Sequence, residues 1–144
     1  MTEITFPADL HYLIEHQVWA RPHGDGTATV GITALGIQLS GEIYMCRPKS
    51  VGVAVAQGHA IAVVELAKSI VAVKSPVTGT VIAVNPLLDE HPERVHQDPY
   101  GDGWIARVTL SDFAADAARL VHGPLVAPAM AAHARLFRAS LDNA

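Results

Sequence analysis

The chain has 144 residues, 50% of them hydrophobic, and a formal net charge of −4. That is long enough for one domain with a proper core, and the acidic balance disfavours nonspecific nucleic-acid binding, which needs a basic surface. The single cysteine, Cys46, excludes an internal disulfide and points to a reducing compartment. Any thiol–disulfide chemistry would therefore have to come from a cofactor.

The first residues, MTEITFPADLHYLIEH, are acidic where a signal peptide would be basic. No run approaches the roughly 18 apolar residues of a membrane span. A cytoplasmic protein without a membrane partner is expected. Pro7–Tyr12 reads as an entry turn before an early strand, and Val18–Pro22 leads into the turn His23-Gly24-Asp25-Gly26. Thr27–Ile32 alternates as a strand does. Thr33–Ser40 reads as a short helical turn, and Gly41 opens a strand over Glu42–Cys46. Arg47-Pro48-Lys49-Ser50 reads as a loop, and Val51–Val55 as a strand closed by the turn at Gly58.

The stretch from Ile61 to Val84 organises the rest. Ile61–Val64 and Ile70–Val73 are β-branched runs around Glu65-Leu66-Ala67-Lys68-Ser69, and Thr80–Val84 follows the turn signal Ser75–Gly79. Two strands joined by so few residues make a hairpin, with Lys68 at or near its tip. A lysine held there offers an amine on a long flexible stem, suited to acylation by a prosthetic group. The ordinary alternative is a solubilising charge at a strand end.

Asp89–His96 is charged enough for an exposed loop or short helix. Asp98–Trp104 is a tight turn in which Gly101 and Gly103 permit positive φ, and Tyr100 and Trp104 anchor it to the body. Ile105–Leu110 closes the sheet. From Ser111, a plausible N-cap, the pattern turns helical as far as Gly123-Pro124. A second helix is expected from about Pro128 to Leu141, with Met130, Ala134, Phe137 and Leu141 near helical spacing and Arg135 and Arg138 in its C-terminal half. The division is a β-rich domain over 1–110 and a helical extension over 111–144 packed on it.

Gly31-Ile32-Thr33, Gly41-Glu42-Ile43, Val51-Gly52, Gly58, Val64-Glu65, Lys68, Pro76–Gly79, Val84-Asn85 and Asp98–Trp104 together resemble the H-protein family of lipoyl carriers. The resemblance spans about residues 9–110 and runs without a gap from Gly31 to Gly79. It implies a mostly-β barrel-sandwich hybrid with C-terminal helices, and a carrier that is a substrate of enzymes and not an enzyme. It implies lipoate on Lys68, the third residue after Glu65, with Glu65 helping a lipoate-protein ligase or lipoyl synthase recognise the hairpin. Dihydrolipoamide dehydrogenase would be a further partner. Biotin carriers usually flank their lysine with methionines; here the neighbours are Ala67 and Ser69.

Which cargo the arm carries turns on departures from the pattern. Glycine-cleavage members place an acid four residues after the lysine and another as the second glutamate of E-H-E-W, where carboxylates suit a cationic aminomethyl group. Here those places hold Ala72 and, in Glu15-His16-Gln17-Val18-Trp19, Gln17 or Val18. Lys74 and Arg47-Pro48-Lys49 add positive charge. These features, with Tyr12–Glu15, Val18–Pro22 and the long tail, look like the lipoate-binding proteins of bacterial sulfur oxidation. Their partner would be a heterodisulfide-reductase-like complex. That branch is the expectation. The first alternative is a glycine cleavage H protein serving glycine decarboxylase and aminomethyltransferase. The second is an unmodified H-like binding module.

Other constellations carry less. The eight histidines are scattered; His91 and His96 share a loop without a third ligand, so no metal site is expected. Cys46 reads as a buried small hydrophobe. No phosphate-binding glycine loop and no nucleophile elbow is present, so no catalytic residue is assigned.

Overall fold

A computed structural model describes residues 5–142, with side chains as far as residue 137. In chain order it contains β1 (His11–Leu13), β2 (Val18–Pro22), β3 (Thr27–Ile32), α1 (Ala34–Ser40), β4 (Met45–Pro48), β5 (Ala54–Val55), β6 (Ala60–Glu65), β7 (Ile70–Lys74), β8 (Gly79–Val84), α2 (Arg94–Gln97), β9 (Ala106–Thr109), α3 (Phe113–Ala117) and α4 (Val126–Asp142). The strands form a six-stranded sheet, β1-β2-β3-β9-β8-β5, and a three-stranded sheet, β4-β6-β7. All pairs are antiparallel. The β5–β6 and β7–β8 segments each pass from one sheet to the other, so the two sheets share a core. This is the expected mostly-β barrel-sandwich with a C-terminal helix.

Alternation along β2 and β3 divides the interior. Val18, Ala20, Val30 and Ile32 face the main core with Ile61, Val64, Val81 and Val108. Trp19 faces the other side, into a second cluster with Leu10, Tyr12, Leu35, Val126 and Met130. Trp19 lies directly across from Gly31, where a Cβ would stand 2.5 Å from the indole ring. Its Nε1 donates to the Ile32 and Pro99 carbonyls at 3.0 and 3.2 Å. A larger residue at position 31 would evict that ring.

Several expected boundaries move. The strand expected over Glu42–Cys46 is β4, beginning at Met45, because α1 ends with Gly41 at φ 93° and the chain needs three more residues to reach the sheet. Arg47 and Pro48 belong to that strand and not to a loop. Gly52, at φ 95°, turns the chain, so the Val51–Val55 run contributes only β5. Asp112, not Ser111, caps α3: its Oδ1 accepts from Ala115 N at 3.2 Å. Helix α3 then stops at Ala117. Gly101 and Gly103 are not at positive φ. Each is needed for close approach instead, because a Cβ would collide with the Asp98 carboxylate or the Arg94 carbonyl respectively.

The segment after β9 is bound into the body. Val121 bridges Tyr12, with Tyr12 N to Val121 O at 2.9 Å and the reverse at 2.8 Å. Buried Asp116 accepts from Thr78 N at 2.7 Å and Thr78 Oγ1 at 3.1 Å. Helix α4 covers the expected second helix; the side chains of Arg138 and Leu141 lie outside the described residues.

Candidate functional site: the lysine hairpin and its groove

Strands β6 and β7 pair from Ala60 opposite Lys74 to Glu65 opposite Ile70. The connection is Leu66-Ala67-Lys68-Ser69, closed by Leu66 N donating to Ser69 O at 2.8 Å. Leu66 packs inward against the main core and fixes the tip, while Ala67, Lys68 and Ser69 are exposed. Val64 and Val73 bury the base of the hairpin. Farther out, Ile70 is 66% exposed, with Val71 and Tyr44 also exposed. The apolar run Ile70–Val73 therefore forms a strand, but most of it is not core. β7 is an edge strand, and among the described residues nothing covers its outer half.

Glu65 is exposed at the end of β6, two residues from the turn lysine's neighbour Ala67, and its carbonyl accepts from Tyr44 N at 2.8 Å. The side chains of Glu65 and Lys68 enter no ion pair among the described residues. The tip thus offers an exposed amine and, three residues before it, an exposed carboxylate.

A groove of about 560 Å³ opens beside the hairpin. Leu66, Val71 and Ala72 supply one wall, Glu15–Val18 a second, α1 a third, and His133 and Phe137 of α4 a fourth. Thr33 builds the third wall by capping α1, its Oγ1 accepting from Gly36 N at 2.9 Å. Tyr100 OH accepts from Ala34 N at 2.9 Å at the same helix start. Gln17 locks the second wall. It is 5% exposed and holds φ at 54°. Its Nε2 donates to the Ile14 carbonyl at 2.8 Å and to Met130 Sδ at 3.3 Å, and its Oε1 accepts from Thr33 Oγ1 at 2.6 Å. Burial raises the Tyr100 phenol above its ordinary range, so it stays neutral.

Two positions where an acid was expected to be missing, Ala72 and Gln17, do line this groove, as does Val18. Glu15, to which the sequence assigns no site role, lines it too. Glu15 is tied to Arg119, with Arg119 Nη2 at 2.6 Å, and lies 3.8 Å from His16 Nε2. Nothing in the sequence pairs Glu15 with a residue 104 positions away. The other expectations are plainer. Cys46 is buried, and burial pushes its thiol up to about 12, which leaves it inert. His96 Nδ1 accepts from Ile43 N at 2.9 Å and His91 pairs with Glu93 at 3.1 Å, so the two serve different contacts. Tyr100 and Trp104 pack into the second cluster, as anchors of their turn.

An exposed lysine on a stiff hairpin, with an apolar groove alongside, defines the class of swinging-arm carriers built on the barrel-sandwich. Comparison with known proteins narrows this. The sequence profile of the glycine cleavage H-protein matches residues 10–130. The glycine cleavage system H protein of Marinobacter nauticus is 46% identical over 112 residues, 78% of this chain and 84% of that protein. The glycine cleavage system H protein 3 of Aquifex aeolicus is 38% identical over 120 residues, covering 81% and 74%. The crystal structure of the glycine cleavage system H protein from Mycobacterium marinum superposes with a TM-score of 0.66 at 29% identity, covering 74% of this chain and 87% of that one. The chain belongs to the glycine cleavage H-protein family, whose members are lipoyl carriers and not catalysts. These names favour the glycine-cleavage alternative over the sulfur-oxidising branch expected from the sequence. The profile match stops short of His133 and Phe137, so the fourth wall of the groove comes from outside it.

The residues present fit a lipoyl-lysine. The amine stands in solvent, and the groove walls are mainly apolar, as a hydrocarbon arm ending in a cyclic disulfide requires.

Proposed function

We propose that this chain is a cytoplasmic lipoyl carrier modified on Lys68, and that it serves the enzymes of a glycine-cleavage system. The observation that carries the proposal is the exposed Lys68 on a hairpin whose base is buried and whose flank opens on an apolar groove. Bound lipoate supplies reversible thiol–disulfide and group-carrying chemistry. The protein's own work is placement. The β6–β7 pairing, buried Val64 and Val73, and half-buried Leu66 hold the lysine clear of the body. Glu65 gives a lipoate-protein ligase or lipoyl synthase a charged landmark beside it. Exposed Ile70, Val71 and Tyr44 offer an apolar footing for glycine decarboxylase, aminomethyltransferase and dihydrolipoamide dehydrogenase in turn. The tether raises the effective concentration of the arm at each partner.

Glu15 supports the glycine-cleavage cargo. Its partnership with Arg119 is solvent-exposed on both sides, at 57% and 54%, and such pairs contribute only about 0–1 kcal/mol. A cationic amine in the groove can displace Arg119 at little cost. A second reading has its own support. Ala72 and Gln17 are neutral, and His16 and His133 face the same groove. That composition tolerates anionic sulfur species, the cargo of a heterodisulfide-reductase-like complex. The two readings separate in reconstitution. Lipoylated protein is presented to the host's glycine decarboxylase with glycine, and separately to its heterodisulfide-reductase-like complex. Saturable glycine-dependent release of carbon dioxide, lost in Lys68→Arg, supports the first. Turnover only with the sulfur complex would replace it with the second.

A further inference from the structure

One row of the six-stranded sheet gathers polar side chains that the carrier role does not use. Arg21 of β2 pairs with Thr29 of β3, and Thr29 pairs with Arg107 of β9. Directly paired residues share a face, so the two arginines flank Thr29 with their backbones roughly 10 Å apart. His23, Tyr100, Gly101 and Trp104 complete a cleft of about 370 Å³ over this row. Among the described residues no carboxylate lines it.

The two arginines are in different states. Arg21 is engaged: its Nε donates to Asp9 at 3.2 Å, its Nη1 to the Tyr100 carbonyl at 3.4 Å, and its guanidinium lies 5.3 Å from the centre of the Trp19 ring. His23 Nε2 stands 2.7 Å from Thr29 Oγ1. Arg107 differs. Its Nε is buried without a hydrogen-bond partner, and it joins no ion pair among the described residues. A buried donor left unpaired is costly, and such an orphan marks a place for a water or an ion.

We propose that this cleft binds a small tetrahedral oxyanion of the phosphate or sulfate class. Arg107 turns its fork so that Nε and one Nη donate together, the bidentate geometry a guanidinium offers an oxyanion. The Arg21 guanidinium and the Thr29 hydroxyl address the remaining oxygens. A single carboxylate has its acceptors in one plane and does not use donors on both sides of Thr29. The site needs neither Lys68 nor its modification.

The test is a titration of the full chain with inorganic phosphate and with sulfate. Sodium acetate and sodium chloride at matched ionic strength serve as controls. The readouts are the Arg107 Nε–H and Trp104 indole N–H signals in a nitrogen–proton NMR spectrum. Saturable shifts with phosphate or sulfate are expected, and the affinity read from the Trp104 signal should weaken about tenfold or more in Arg107→Met. If that variant does not fold, Arg107→Lys keeps the charge and loses the fork, and the same weakening is expected of it. Equal response to acetate would overturn the tetrahedral class. Shifts that grow linearly with every salt, or that persist unchanged in the variants, would overturn the site.

Discussion

Placing an acid at position 17 should destabilise this protein. Gln17→Glu is nearly isosteric, but the amide it replaces is woven into its surroundings. The Thr33 hydroxyl can still donate to a carboxylate. The two donations from Nε2, to the Ile14 carbonyl and the Met130 sulfur, are lost, and an oxygen then faces the Ile14 carbonyl. That carbonyl keeps its bond from Gln17 N, at 3.2 Å, so the acceptor itself is not orphaned. The main penalty is a buried carboxylate with one donor. Burial costs of this kind amount to about 2–4 kcal/mol at neutral pH. Protonation relieves them, because a carboxylic acid can donate to Ile14. The variant's carboxyl should therefore titrate above the roughly 4.3 of an unfolded glutamate. Its folded form binds the proton more tightly than its unfolded form, so the deficit grows as pH rises above about 4.3. Urea denaturation of both proteins at pH 5 and pH 8 measures it. A deficit below about 1 kcal/mol at pH 8, or one independent of pH, would refute this account of the groove wall.

Other substitutions probe neighbouring parts. Ala72→Glu puts a carboxylate in the same groove from an exposed strand; it should change stability by no more than about 0.5 kcal/mol, and it should improve reconstituted glycine decarboxylation if the cargo is a cation. Asn85 donates to the Asp102 and Trp104 carbonyls at 2.7 and 2.8 Å and accepts from Leu87 N at 3.1 Å; Asn85→Ala should cost about 3 kcal/mol in chemical denaturation, with the lysine hairpin's NMR signals unmoved. His11 stacks on His122 at 4.1 Å, and burial, reinforced by His122, holds its pKa below the ordinary 6.5. The unfolded chain thus takes up this proton first, and the stabilisation present above pH 6.5 is lost as pH falls below it. The melting temperature should drop between pH 7.5 and 5.5, and drop less in His11→Gln.

What the sequence made legible was local. The Lys68 hairpin is two β-branched runs around a short polar segment, and its pairing follows from that alone. Thr33 as the start of a helix and Tyr100 as an anchor also rest on neighbouring residues. The groove was not legible, because its walls come from residues 15–18, α1, the hairpin and α4, and only the folded chain brings them together. Glu15's place in the wall is hidden for the same reason. The Arg21–Thr29–Arg107 row depends on strand register, which hydrophobic pattern does not reveal across non-consecutive strands. Gly101 and Gly103 suggest positive φ by sequence, but crowding by Asp98 and Arg94, not the sign of φ, is what forbids a side chain there. Ile70 and Val71 form the strand their composition implies; that they stand in solvent reflects a projecting hairpin, which an apolar run cannot signal.

The central claim is the arm on Lys68, and mass spectrometry of the protein isolated from its native host tests it most directly. Peptide mapping should find a lipoyl-sized mass increase on the peptide containing Lys68, with none in a Lys68→Arg chain expressed beside it. An unmodified Lys68, in cells whose other carriers are lipoylated, would contradict the carrier assignment and leave an H-like fold serving as a binding module.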